Sequence, residues 1–203
     1  MNSLLAHPEC AFVWGHCQHI AADGSPVPFR RKPLIEKDHY LMFLRTNYIR
    51  TPGSVIYRRD VLEAVGGFNA SLRGSEEYDL HLRIARNFPI HCHNETVLEY
   101  REHGANSSRD SGMMLKDTMA VYRSQWGYVK GKKELEQSYR IGKRSWQDFL
   151  GGRLLGEVLG QLRSRKQRKQ AVRGLLTLLR YYPRGLARHA YRKLYCIAFS
   201  VKG

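Results

Sequence analysis

The chain changes character near residue 110, and this change constrains its fold more than any other feature. Before it, short apolar runs alternate with turn-forming segments such as Asp23-Gly24-Ser25-Pro26. After it, apolar residues recur at helical spacing almost to the end. Breaks in this helical pattern are expected near Gly127, Gly131, Gly151-Gly152 and Pro183. The sequence therefore predicts an α/β part over residues 1–110 and a mainly helical part over residues 111–203.

The charge divides at the same point. Residues 1–110 carry 13 basic and 13 acidic side chains, whereas residues 111–203 carry 21 basic and 5 acidic ones, so the formal net charge of +16 belongs to the second part. A charge confined to one segment indicates a local contact with phosphates, nucleic acid or anionic lipid. The neutral first part has to be interpreted from its chemistry.

Cysteine spacing and apolar run length restrict the class of protein. The four cysteines form no C-x-x-C pair or metal-finger spacing, and the chain opens without a secretory signal segment. No run approaches the roughly 18 to 20 consecutive apolar residues that a membrane-spanning helix needs. We therefore expect a reducing, cytoplasmic setting, in which any contact with a membrane is peripheral.

Local patterns in the first part predict an alternation of strands and helices. The run CAFVWGHCQHI indicates a buried strand, residues 33–49 a helix, SVIYRR a second strand, and DVLEAVGG a short helix stopped by its paired glycines. Ser75 is expected to cap a helix over EEYDLHLRIARNF, and PIHCHNETVLEYREH is expected to form a further strand.

Glu76 and Glu77 fall in the first turn of the helix that Ser75 is expected to cap. One interpretation involves no chemistry, because acids at this position complement the helix dipole by roughly 0.3 to 1 kcal/mol each. The alternative is that these carboxylates belong to a site, and that interpretation depends on the segments around them.

Four segments occur in order between residues 4 and 108, namely HPECAFVWGHCQHIAADG, TPGSVIYRRDVLEAVGGFNASL, GSEEYDLHLRIAR and YREHGANSS. Together they resemble the C-terminal half of the catalytic domain of family 2 glycosyltransferases. The resemblance implies part of a GT-A fold, which is a Rossmann-like mixed sheet with helices. It also implies transfer of a sugar, with inversion, from a nucleotide-sugar donor to a glycan or lipid-linked acceptor.

The resemblance assigns roles to the acids of the Glu-Asp helix. Glu77 occupies the position of the general base, where the family usually has Asp, and a base must lie within about 2.6 to 3.2 Å of the proton it takes or reach it through one water. Glu76 and Asp79 become supporting acids that orient the turn or hold a cation. Arg83 is expected to pair with Asp79 at i,i+4.

Two further groups of residues follow from the resemblance. Gly66, Gly67 and Phe68 form the acceptor-side loop, in which the glycines let backbone approach a ligand and Phe68 offers an apolar face to a sugar or lipid. Phe68 could equally anchor a core below the helix stop. Arg101 and His103 are expected near the donor diphosphate or its metal, although a histidine after a strand is more often a surface or capping residue.

The chain departs from the family in its donor half. The complete enzyme is expected to bind Mg²⁺ or Mn²⁺ through an Asp-x-Asp turn, and no such triplet occurs between Met1 and the Glu-Asp helix. Without that metal and a nucleotide pocket the leaving diphosphate is not stabilised, so the chain alone is expected to be inactive. Three explanations are compatible with this departure. They are a split or truncated reading frame with a separately encoded N-terminal half, a deliberately shortened chain, and a remnant kept for binding.

The second part has a basic, amphipathic pattern. Twelve Lys or Arg residues and no acidic residue follow Glu157. The bases expected to face a membrane are Arg184, Arg188, Arg192 and Lys193, with apolar residues on another face of the same helix. Anionic lipid attracts each nearby basic side chain by about 1 kcal/mol. The sequence therefore predicts a peripheral protein at the inner face of a membrane, where a lipid-linked acceptor would be close.

Two other interpretations of the basic part stay open. Nucleic acid could bind RSRKQRKQ and the neighbouring tyrosines. No helix-turn-helix, zinc or Gly-rich RNA motif accompanies that charge, so the sequence favours lipid over nucleic acid. The third interpretation is a solvated helical bundle that packs on the missing half.

Overall fold

The computed structural model describes residues 2–28, 35–49, 51–101 and 110–200, with backbone alone for residues 193, 194 and 196–200. It is mixed α/β and 61% helical, with a three-stranded mixed sheet and eight α-helices. In chain order the elements are α1 (Asn2–Ala6), β1 (Phe12–Ile20), α2 (His39–Arg45), β2 (Val55–Tyr57), α3 (Arg59–Ala64), α4 (Glu76–Ala85), β3 (His91–Arg101), α5 (Ser111–Val129), α6 (Lys133–Leu162), α7 (Arg168–Tyr181) and α8 (Pro183–Ser200). The predicted combination of an α/β part and a helical part is confirmed.

The sheet has the strand order β2-β1-β3. β1 runs antiparallel to β2, with Phe12 opposite Tyr57, and parallel to β3, with Ile20 opposite Arg101. The first four residues of β1 are all buried. This central strand therefore reads as a continuous apolar run rather than an alternating one, as strands covered on both faces do.

The helix expected over residues 33–49 is shorter than the sequence pattern indicated. α2 covers only His39–Arg45, and Thr46 after it has an extended backbone. The hydroxyl of Tyr78 donates to Phe43 O, and the hydroxyl of Tyr122 donates to Leu44 O. These side chains satisfy carbonyls that a helix end leaves without partners, so α2 can end inside the core.

Glycines stop helices at some of the expected places and not at others. Gly66 and Gly67 follow α3 with φ of 80° and 65°, and Gly131 follows α5 with φ of 83°, so these stops are confirmed. The break expected near Gly151-Gly152 is wrong, because these glycines lie inside α6, whereas Gly127 lies close to the end of α5 at Val129. At Gly151 a side chain would collide with the ring of Tyr182, so this glycine allows a close contact.

One hydrophobic core joins the two parts of the chain. Its buried members include Phe43 and Leu80 from the α/β part and Leu115, Tyr122 and Leu150 from the helical part. α2 packs against α6, and α5 packs against α6. The division at residue 110 stays a prediction, although the core crosses it. Within the described residues no helix is both long and apolar enough to cross a membrane.

Candidate functional site

The N-terminus of α4 is held in place by α5. The carboxylate of Asp117 accepts hydrogen bonds from the backbone N–H groups of Arg73 (2.7 Å) and Gly74 (3.1 Å). Ser75 occupies the N-cap position, but its hydroxyl bonds Thr118 at 3.0 Å instead of capping the helix. The helical part of the chain thus fixes the position of the first turn of α4.

Glu77 lies half-buried in this first turn. Burial raises the pKa of its carboxyl above the ordinary value, its own backbone N–H opposes that shift, and the charge of Glu76 adds to it. One carboxylate oxygen of Glu76, Oε2, is buried with no hydrogen-bond partner among the described residues. The two carboxyl groups are therefore partly withdrawn from water at the start of α4.

Tyr57, the last residue of β2, lies within electrostatic range of Glu77. Burial raises the pKa of its hydroxyl, and the nearby charge of Glu77 adds to that effect. The hydroxyl lies 2.7 Å from Nε2 of His81. His81 is completely buried, and burial lowers its pKa to about 3, so its imidazole is neutral near pH 7. The contact between Tyr57 and His81 is therefore a neutral one that joins β2 to α4.

The side chain of Phe68 contacts Tyr57. Its ring meets the Tyr57 ring edge to face, with the ring centroids 6.2 Å apart. Because 47% of Phe68 is exposed, its position does not match that of a buried core anchor. Tyr57 thus contacts Phe68 and lies within electrostatic range of Glu77, and the Phe68 ring is open to a ligand.

Arg83 holds the loop that carries Phe68. Its Nε donates to Asp79 Oδ2 at 2.8 Å, its Nη1 to Val65 O at 2.6 Å and its Nη2 to Gly67 O at 2.7 Å. The Asp79 side chain is 6% exposed, so this is a buried pair. The predicted pairing of Arg83 with Asp79 is confirmed, and Asp79 acts on the loop through Arg83.

An open depression of about 510 Å³ lies between this loop, α4 and α5. Its lining includes Phe68, Arg83, Arg86, Gln125 and Tyr128, and does not include Glu77. The guanidinium of Arg86 stacks on the ring of Tyr128 at 3.5 Å. The loop that carries Phe68 thus lines this depression, and the Phe68 ring also contacts Tyr57.

Arg101 lies far along the sheet from Glu77. It pairs with Ile20 at the end of β1, whereas Tyr57 pairs with Phe12 at its beginning. At about 3.3 Å per residue the two positions are separated by about 26 Å along the strand. Nη1 of Arg101 donates to Ala21 O and Ala22 O. The structure does not bring Arg101 next to Glu77, and His103 lies outside the described residues.

Among the described residues, no three His, Cys, Asp or Glu side chains gather in an arrangement that could hold a metal ion. Cys10, Cys17 and Cys92 form no disulfide with one another. Burial raises the pKa of Cys10 and Cys92 to about 11, which keeps them protonated and poorly nucleophilic.

On α8, Arg184, Arg188 and Arg192 are exposed, and so are Tyr191 and Tyr195. Arg188 donates a hydrogen bond to Asp148 Oδ1 on α6. The side chain of Lys193 lies outside the described residues. Three of the bases predicted to face a membrane are therefore solvent-accessible, and one of them is also tied to the helical bundle.

Several residues around the site were not identified from the sequence. Tyr57 lies inside the predicted strand SVIYRR, so its alternation with Val55 could have placed it on the inner face. Gln125 and Tyr128 give no local signal, because they reach the loop only when α5 packs beside α4. No protein-family model matches this chain, and no curated protein matches it significantly.

Proposed function

We propose that this chain is the acceptor-side half of an inverting glycosyltransferase with a Rossmann-like GT-A fold. In this proposal the complete enzyme transfers a sugar from a nucleotide-sugar donor to a glycan or lipid-linked acceptor. The observation that supports the proposal is that Tyr57 contacts the exposed ring of Phe68 and also lies within electrostatic range of the half-buried acid Glu77.

The proposed chemistry needs one proton acceptor on this chain. Glu77 takes the proton of an acceptor hydroxyl while the hydroxyl oxygen attacks the anomeric carbon and the bond to the nucleoside diphosphate breaks. Because burial raises the pKa of Glu77 toward the working pH, its carboxylate is a stronger base than an exposed glutamate. Phe68 offers an apolar surface for a sugar ring, and Arg83 with Asp79 keeps that surface in place.

The donor side is proposed to come from another polypeptide segment. Nucleotide binding and the Mg²⁺ or Mn²⁺ that stabilises the leaving diphosphate require ligands of the Asp-x-Asp kind. The roles of Arg101 and His103 near that diphosphate stay predictions. The proposed location is the cytoplasmic side of a membrane, where lipid-linked acceptors are within reach of a peripheral enzyme.

Donor hydrolysis and transfer test this proposal directly. The chain is assayed alone and mixed with a donor-binding half encoded next to it, against a panel of nucleotide sugars with Mg²⁺ or Mn²⁺. Activity is expected only in the mixture, and Glu77→Gln should lower kcat by about 10² to 10⁴. Glu63→Gln is the matched control, because Glu63 is an exposed acid on neighbouring α3. Full activity of Glu77→Gln would remove Glu77 as the base.

The second candidate is a non-catalytic remnant that binds an anionic membrane or nucleic acid through its basic helices. The exposure of Arg184, Arg188 and Arg192 on α8 favours it. Failure of transfer in every mixture, together with retained binding to anionic vesicles, would support this candidate over the transferase.

A further inference from the structure

α7 presents two different surfaces to solvent in addition to its buried one. With about 100° of rotation per residue, its side chains separate into a buried, an apolar exposed and a basic sector. The buried sector packs on the helical bundle through Ala171 and Leu178, both 0% exposed, and through Gly174, which lies against Val158 of α6. The packing of α7 is therefore complete without its apolar exposed sector.

The apolar exposed sector consists of Val172, Leu175, Leu176 and Leu179, here named the α7 stripe. These side chains are 55%, 42%, 61% and 56% exposed. They follow one another at i, i+3, i+4 and i+7, which is the spacing that normally turns one helix face toward a core. Scattered exposed leucines are common in proteins, but a continuous row on a helix whose other face is already buried indicates a partner.

The basic sector borders the α7 stripe along the helix. Lys169, Arg173 and Arg180 are exposed on this side, and no acidic residue follows Glu157 in the sequence. An exposed apolar row beside a basic row is the arrangement of helices that lie in the interfacial plane of a bilayer. Acyl chains can take up the apolar side chains while anionic headgroups contact the bases.

We propose that the α7 stripe docks this protein on the surface of an anionic lipid bilayer, with α7 parallel to the membrane. The sequence pattern predicted that α8 contacts the membrane. The exposure of the α7 stripe indicates instead that α7 supplies the apolar side chains of that contact. A second copy on the same stripe would bring two basic sectors together, and nucleic acid would leave the leucines in water. The inference does not depend on the proposed transferase activity.

Vesicle flotation of the full 203-residue chain tests this inference. The vesicles contain either phosphatidylcholine alone or phosphatidylcholine with 30% phosphatidylglycerol. The stripe variant is Leu176→Gln with Leu179→Gln, and the matched control is Leu5→Gln with Val97→Gln, which are 68% and 47% exposed in α1 and β3. Circular dichroism and size-exclusion chromatography with light scattering establish that each variant has the helicity and mass of the wild type.

The wild type and the control should float with the anionic vesicles and stay behind with the neutral ones. The stripe variant should bind the anionic vesicles at least tenfold more weakly than the wild type. The variant Lys169→Gln with Arg173→Gln should also bind more weakly, and its binding should fall less steeply as the salt concentration rises. Equal binding of the stripe variant and the wild type would overturn the inference, and so would no binding by the wild type. A wild-type dimer that the stripe variant converts to a monomer would also overturn it, since the occupant would then be a second copy.

Discussion

At the scale of single residues, Arg83 determines how firmly the loop that carries Phe68 is held. Its three hydrogen bonds join the Asp79 carboxylate to the carbonyls of Val65 and Gly67. The planar guanidinium can point at three acceptors at once, whereas a lysine ammonium cannot reproduce that geometry. The exposed ring of Phe68 therefore depends on a side chain that a ligand need not touch.

We expect Arg83→Lys to loosen this loop. Hydrogen bonds to charged groups contribute about 1.5 to 3 kcal/mol, so the amides of Gly66 and Gly67 should exchange with deuterium at least tenfold faster. Hydrogen exchange followed by NMR measures this, and Arg59→Lys is the control, because the Arg59 side chain is 92% exposed. Unchanged exchange in Arg83→Lys would mean that the loop is held by other contacts.

Glu77→Gln should make the protein more stable at neutral pH. The pKa of folded Glu77 is raised, so its contribution to stability is present at low pH and is lost as the pH rises through that pKa. Glutamine has no charge to bury, and the free energy of unfolding should increase by about 0.5 to 1 kcal/mol at pH 7. Urea unfolding from pH 4 to pH 8 should show this gain shrinking toward pH 4. A loss of stability at pH 7 would indicate a favourable role for the charge.

At the scale of elements, α2 is held by buried tyrosines of α4 and α5 and by a glycine of α6. Tyr78 and Tyr122 donate to the carbonyls of Phe43 and Leu44, and their hydroxyl oxygens lie 3.1 Å apart. Gly142 of α6 lies so close to α2 that a side chain would collide with Leu44 O and the Tyr122 hydroxyl. The end of α2 is therefore fixed by residues far away in the sequence.

Two glycines of α6 should respond oppositely to alanine. Gly142→Ala should lower the free energy of unfolding by about 1 to 3 kcal/mol, because the added methyl group has to displace packed backbone. Gly152→Ala should raise the free energy of unfolding by about 0.5 to 1 kcal/mol. A methyl group added at Gly152 would meet no described atom within 4 Å, and alanine restricts the unfolded chain. Urea unfolding of both variants measures the difference. Equal effects would contradict the close approach of α2 and α6.

The sequence predicted these elements well where local physics determines them. The apolar run before Ile20, the glycine stop after α3 and the helix that starts at Glu76 were all confirmed. The expected length of α2 was wrong because Tyr78 and Tyr122 end it. The expected break at Gly151 was wrong because that glycine makes room for Tyr182. In both cases the deciding partner is distant in sequence, and local patterns contain no information about it.

At the scale of the whole molecule, the α/β part and the helical part stabilise each other. Tyr78 and Ser75 of the α/β part bond Tyr122 and Thr118 of α5 inside the core. The acids and the Gly-Gly-Phe segment were predictable because they are contiguous in sequence. The depression lined by Gln125 and Tyr128 was not, because it forms only when α5 packs on α4.

Residues 1–110 alone should not fold cooperatively. Removing the rest would take Tyr122 away from the Tyr78 hydroxyl and from Leu44 O, and would remove Leu115, Tyr122 and Leu150 from the shared core. A three-stranded sheet with α1–α4 has too small a core to replace that burial. Urea unfolding followed by circular dichroism should show a single transition for the whole chain and none for residues 1–110. A cooperative transition of the fragment would establish an independent domain.

The central claim is that Phe68 and Glu77 serve one acceptor site, and glycan binding by NMR tests it most directly. The full chain is titrated with a panel of glycans while the aromatic signals of Phe68 and Tyr57 and the side-chain signals of Glu77 are followed. The account predicts that at least one glycan shifts all three residues, that Phe68→Ala weakens its binding at least tenfold, and that Glu77→Gln still binds it. Binding that Phe68→Ala leaves unchanged, or shifts confined to other residues, would contradict the claim.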